Sequence, residues 1–126
     1  AGEVAAALTI KSLRETLSRM PPFNVAAGAS PFPGDPLSGS PAGGGHAGPG
    51  IDVEAVKAAL RQALKEANRA VFQASRAPGS KRRGMGCTAE AVYIDGRNVV
   101  VGHVGDSRTY HLHEGRLIQM TRDQTL

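Results

Sequence analysis

Helices layered outside stacked antiparallel sheets, an α+β fold, are what this 126-residue sequence predicts. Two amphipathic helical stripes lie in its N-terminal part, a two-residue period takes over after Cys87, and tight-turn signals recur between the resulting strands. Four strands at roughly ten-residue spacing imply an antiparallel meander within a sandwich.

The first predicted helix covers residues 2–20. Ala6, Ile10, Leu13, Leu17 and Met20 step by three or four and form one apolar stripe, while Val4 and Leu8 fall off it. Pro21-Pro22 ends the helix. The second predicted helix covers residues 51–76, with Asp52 and Glu54 complementing its positive end. Its apolar stripe is Val53, Val56, Leu60, Leu64, Ala67 and Val71. Its polar face is Lys57, Arg61, Lys65, Glu66 and Arg69, so one side packs and the other meets water. Strands are predicted at residues 88–94, 98–104, 109–113 and 116–121. Asp95-Gly96 and Glu114-Gly115 are the turns within the two hairpins. The unbroken Val99-Val100-Val101 run predicts burial on both faces of the second strand.

Between the helices, residues 21–50 hold seven of the eight prolines and eight of the sixteen glycines. Such a segment buries too little apolar surface to offset its ordering entropy, and a disordered Pro/Gly-rich insert is expected. The remaining residues, roughly 95, allow one modest core. The chain does not start with Met, and Ala1 opens straight into helical pattern, as a cut inside a longer protein would. The net charge of +4 fits an acidic or phosphorylated partner only loosely. Aromatics make up 4% of the residues and tryptophan is absent, which disfavours a stacking platform for single-stranded nucleic acid. No apolar run approaches the length of a membrane span. Cys87 is the sole cysteine, which excludes an intrachain disulfide and suits a reducing, cytoplasmic setting.

Asp106 is the sharpest candidate for chemistry. It follows an apolar strand through Gly105, and a carboxylate emerging at a sheet end is placed to hold a hard cation. The competing reading is a turn opener that bonds the backbone near Arg108. Ser107 as nucleophile and Arg108 as phosphate clamp compete with plain turn hydrogen bonding, since no base is visible beside Ser107. His103, His111 and His113 suggest a metal site, but no ligand pattern completes it, and surface histidines are the simpler account. Cys87 reads as a small buried hydrophobe. Gly84-Met85-Gly86 reads as close packing of chain on chain, and Lys81-Arg82-Arg83 as a solvated loop or a phosphate-binding patch. Asp95, Glu114 and Asp123 have no partners visible in the sequence.

Read together, five stretches carry a resemblance: Gly84-Met85-Gly86-Cys87-Thr88, Ile94-Asp95-Gly96, Val101-Gly102-His103-Val104-Gly105-Asp106-Ser107-Arg108, Leu112-His113-Glu114-Gly115-Arg116-Leu117, and Thr121-Arg122-Asp123. In this order they resemble the metal-dependent protein phosphatases of the 2C type. Ala1-Gly2-Glu3-Val4-Ala5 also looks like the helix start just after that family's Asp-Gly-x-Gly-Gly motif. The resemblance spans residues 1–20 and 51–126 and is strongest over 84–123.

It implies an αββα sandwich, present here as a partial domain across residues 1–126. It further implies two or three Mn²⁺ or Mg²⁺ ions in a cleft at the sheet ends, and hydrolysis of phosphoserine or phosphothreonine in proteins by a metal-activated water. Asp106 then matches the aspartate of the family's Gly-Asp-Ser-Arg segment and is a metal ligand, with Gly105, Ser107 and Arg108 shaping the turn around it. Phosphorylated proteins are the implied substrates, with serine/threonine kinases acting opposite; neither nucleic acid nor membrane is an expected partner. The other metal aspartates are expected outside residues 1–126, so no catalytic residue is assigned within them and the 126-residue chain alone is expected to be inactive. A non-catalytic, phosphatase-like module that binds or regulates a partner is the alternative. The sequence departs from the family at Cys87, where Thr or Ser is common, at Gln124-Thr125, where His-Ser is usual, and in the length of the 21–50 insert.

Overall fold

A computed structural model describes residues 1–23 and 52–125. The 21–50 insert lies outside the described residues except for its first three, which form a turn. Two helices, α1 (Gly2–Ser18) and α2 (Val53–Arg76), are followed by four strands: β1 (Ala89–Asp95), β2 (Asn98–Val104), β3 (Tyr110–His113) and β4 (Arg116–Gln119). Helices followed by antiparallel strands make this an α+β chain.

The strands form two separate hairpins rather than one four-stranded meander: β1 pairs with β2, β3 pairs with β4, and β2 does not pair with β3. The residues between β2 and β3 turn away instead of continuing a ladder. Both registers follow from their two-residue turns. Gly96-Arg97 places Glu90 opposite His103 and Tyr93 opposite Val100. Glu114-Gly115 places Tyr110 opposite Gln119.

α2 organises the core. The Asp52 carboxylate accepts from the Glu54 backbone N–H at 3.0 Å, satisfying one of the orphan donors at the helix start. Val56, Leu60, Leu64, Ala67 and Val71 are all buried, as their spacing predicts, and Ala59, Ala63 and Ser75 widen the face. β2 lies on this helix at Gly102, where an added Cβ would come 3.1 Å from Leu64 Cδ1 and 3.3 Å from Leu60 Cβ. A glycine here permits the close approach. Val56, Leu60, Tyr93 and Val100 form one apolar cluster, flanked by Leu17, Phe23, Val53 and Ala91. Phe23 meets the Tyr93 ring edge-on at 5.5 Å between centroids. Burial in this cluster, and then the Asp95 charge, push the Tyr93 phenol above its usual value.

The predicted α1 stripe is partly buried, with Leu17 against the core, but the buried positions of the helix lie beside it. Ala5 and Thr9 are buried, whereas Ile10 is 54% exposed. Small residues let α1 approach α2 closely, and the Thr9 hydroxyl remains satisfied by donating to the Ala5 carbonyl at 2.8 Å. Val4 and Leu8, off the predicted stripe, pack against a second cluster of Ala5, Val71 and Met85.

The double burial expected of the valine run is also corrected. Val100 is buried at 5% exposure while Val99 is 47% exposed, because α2 covers only one face of the β1–β2 hairpin. Val92, Ile94 and Val99 remain open on the other face, and every residue of β3 and β4 is exposed. Gly84 and Gly86 do not mark close packing: nothing lies within 4 Å of a Cβ built at either. Cys87 is exposed rather than buried, with its sulfur 3.2 Å from the Thr9 hydroxyl.

Candidate functional site

At the C-terminal end of β2 the chain enters a turn of Gly105, Asp106, Ser107 and Arg108, and four contacts fix it. The first is steric. Gly105 has φ +105°, and a Cβ there would stand 2.5 Å from Thr88 Cγ2 and 3.0 Å from Thr88 Cβ. Thr88 sits directly across from Gly105 because the β1–β2 register, extended by one residue, brings them together. Only glycine accommodates both that conformation and that neighbour.

The second contact joins the Ser107 and Thr88 hydroxyls at 2.6 Å. The third is the Arg108 guanidinium, which donates through two nitrogens to the two oxygens of Asp123 at 2.9 and 2.7 Å and reaches the Tyr110 hydroxyl at 3.4 Å. This fork-on-carboxylate geometry is directional as well as charged. Hydrogen bonding from Arg108 holds the Asp123 carboxyl below the usual carboxylate range, and the same bonds hold the Arg108 guanidinium above its ordinary value. The fourth is Gln124. Its backbone N–H donates to the Gly105 carbonyl at 2.9 Å, and its side-chain oxygen accepts from the Gly105 N–H at 3.2 Å.

Behind the turn, Thr109 and Thr121 tie the start of the second hairpin to its end. The Met120 N–H donates to the Thr109 carbonyl, and the Thr109 N–H donates to the Thr121 hydroxyl. Thr121 is buried. The Thr109 hydroxyl donates to Glu90 at 2.5 Å, and Glu90 stands 3.6 Å from His103 across the β1–β2 ladder. One Glu90 oxygen and the His103 Nδ1 are buried without a hydrogen-bond partner. His103 is therefore a half-sheltered residue with a carboxylate neighbour, not the surface histidine that the sequence suggests. His111 and His113 are exposed and stack on each other at 5.8 Å.

Within this braced turn Asp106 is exposed, and among the described residues nothing donates to its carboxylate. It does not bond the backbone near Arg108, so the turn-opener reading fails. The four contacts hold its neighbours and leave its oxygens free. A hard cation seeks such oxygens, and Asp106 suits the role of one ligand. Among the described residues no group of three His, Cys, Asp or Glu comes together to hold an ion, so these residues fit one edge of a metal site and not a whole one. Arg108 is committed to Asp123 and is no free phosphate clamp. The Ser107 hydroxyl is shared with Thr88 and has no base beside it among the described residues.

Sequence reasoning named Thr88, Asp123 and Gln124 without finding their contacts, and passed over Glu90. The signal was present in the turns: Gly96-Arg97 sets Glu90 against His103, and Glu114-Gly115 folds residues 121–124 back towards 105–109. Lys81, Arg82 and Arg83 are exposed. Arg83 and Cys87 line an open groove of about 560 Å³ together with Thr9, Asn68 and Phe72, and Asp106 is not part of its lining.

A two-helix, two-hairpin chain with a free aspartate on a braced Gly-Asp-Ser-Arg turn points to one class. The family model for protein phosphatase 2C matches residues 49–126, more than half of the sequence, and the chain belongs to that family. Among curated relatives it is similar to the serine/threonine protein phosphatase PstP of Mycobacterium tuberculosis, in strains CDC 1551 / Oshkosh and ATCC 25618 / H37Rv. Identity is 45% over 42 residues, which are 33% of this chain and 8% of each relative. The match thus spans a small part of the relatives' length. No solved structure matches the chain.

Proposed function

We propose that the protein carrying this chain is a metal-dependent protein phosphatase that hydrolyses phosphoserine and phosphothreonine in protein substrates, opposite serine/threonine kinases. The observation that carries the reading is the open Asp106 carboxylate on a turn whose other polar side chains, Ser107 and Arg108, are engaged. Membership of the protein phosphatase 2C family and the similarity to PstP support the substrate class.

Asp106 would supply an oxygen ligand to a Mn²⁺ or Mg²⁺ ion. Such an ion, when bound with its companions, supplies an activated water and neutralises charge on the phosphoryl group. Gly105 brings the chain out of β2 without a side chain in the way, Ser107 ties the turn to β1 through Thr88, and Arg108 anchors its far side on Asp123. None of these three needs to touch substrate for that role.

The test is hydrolysis of a phosphothreonine peptide by the full-length protein with Mn²⁺, with Mg²⁺ and after chelation. Activity that disappears with chelator and returns with Mn²⁺ is expected. No hydrolysis with either ion would favour a non-catalytic module that binds a phosphorylated partner.

A further inference from the structure

We infer that Gln124 is a positioning residue for Asp106, a role that rests on the metal-ligand reading of that aspartate. Gln124 grips both sides of Gly105. Its side-chain oxygen accepts from the Gly105 N–H at 3.2 Å, and its own backbone N–H donates to the Gly105 carbonyl at 2.9 Å. The first bond holds the peptide plane between Val104 and Gly105. The second holds the plane between Gly105 and Asp106, which carries the Asp106 nitrogen. The two planes flanking Gly105 set the direction in which the Asp106 side chain leaves the backbone.

Gly105 needs such a grip. Glycine is the residue with the widest backbone freedom, and here it immediately precedes the candidate ligand. Its φ of +105° and its contact with Thr88 exclude a side chain that would restrict it. Freedom that a Cβ would have removed is removed by hydrogen bonds from across the turn. A metal ligand has to be held to about half an ångström for its geometry to be productive. The bond between Asp123 and Arg108 on the other side of the turn places residue 124 in register with Gly105. Gln124 itself stays at the protein surface and contacts no reacting atom in this arrangement. It acts through Gly105.

The experiment compares Gln124→Met with Gln124→Glu in the full-length protein. Methionine keeps the length of the side chain and the backbone bond but removes the acceptor, and glutamate keeps the acceptor. Two quantities are read: hydrogen exchange of the Gly105 amide by NMR without metal, and the Mn²⁺ concentration that half-saturates phosphopeptide hydrolysis. Loss of one hydrogen bond of this kind predicts Gly105 exchange faster by roughly two- to tenfold in Gln124→Met and a rise of similar size in the half-saturating Mn²⁺ concentration. Gln124→Glu is expected to restore both. Unchanged Gly105 exchange in Gln124→Met would overturn the clamp. Faster exchange with unchanged Mn²⁺ saturation, in a protein where Asp106→Asn does shift saturation, would overturn the positioning role alone. If Asp106→Asn leaves both the half-saturating Mn²⁺ concentration and maximal turnover unchanged, the ligand reading falls and the positioning role falls with it.

Discussion

The residues around Asp106 bond one another and leave its carboxylate open, as the proposed role of a metal ligand requires of at least one of its oxygens. Thr88, Asp123 and Gln124 take up the hydrogen-bonding capacity of Ser107, Arg108 and Gly105. Two predictions belong at this scale. Gly105→Ala would force a Cβ to within 2.5 Å of Thr88 Cγ2 in a backbone conformation that L residues avoid. Thermal unfolding should show a loss of roughly 1–3 kcal/mol, and a neutral result would mean that the turn relaxes freely. The Arg108–Asp123 pair predicts a pH dependence. Asp123 is held below its ordinary value, so the stability it adds is present above the unfolded-state value, about 3.9, and is lost as pH falls through the depressed folded-state value. The difference in melting temperature between the parent chain and Asp123→Asn should therefore be level above about pH 4 and shrink below it. A difference that stays the same at acid and neutral pH would contradict the pairing.

At the scale of elements, α2 carries the stability and the hairpins carry the site. Leu60, in the N-terminal half of α2, belongs to the core cluster and meets β2 at Gly102. Leu60→Ala should cost about 2–5 kcal/mol, measured by denaturant unfolding, because the rigid strand above it cannot collapse into the space. A loss below about 1 kcal/mol would mean that the helix–hairpin contact is looser than described. What could be read from sequence also divides by element. The α2 stripe was readable because apolar residues from Val53 to Val71 repeat at three- and four-residue steps over about five turns. The α1 stripe was readable only in part: Leu17 reaches the core, but the buried positions are Ala5 and Thr9, and a hydrophobicity pattern gives more weight to Ile10, which is exposed. The Glu114-Gly115 loop was readable, but the first hairpin turns at Gly96-Arg97, one residue beyond the Asp95-Gly96 that the sequence suggests, and the pairing of Arg108 with Asp123 lies beyond the ladder, where no alternation pattern reaches. The valine run misled for a different reason: composition reports how apolar a strand is, not how many of its faces are covered.

For the whole molecule, the order of short segments from Gly84 to Asp123 pointed to the protein phosphatase 2C family, which the match over residues 49–126 shows. The proposed site could only be read in part, because a metal centre of that kind would be assembled from residues far apart in sequence. Among the described residues Asp106 meets no second carboxylate that would complete one. The 126-residue chain by itself is accordingly expected to show no Mn²⁺-dependent hydrolysis of a phosphopeptide, and turnover by that chain would contradict this account of the ligand set. The central proposal is narrower: that the Asp106 carboxylate is a metal ligand. Titrating Mn²⁺ into phosphopeptide hydrolysis by full-length Asp106→Asn tests it most directly. The half-saturating concentration should rise, or maximal turnover fall, by tenfold or more while the melting temperature stays within a few degrees, as expected when a metal ligand is lost and the fold is kept. A Mn²⁺ curve superimposable on that of the parent protein would contradict it.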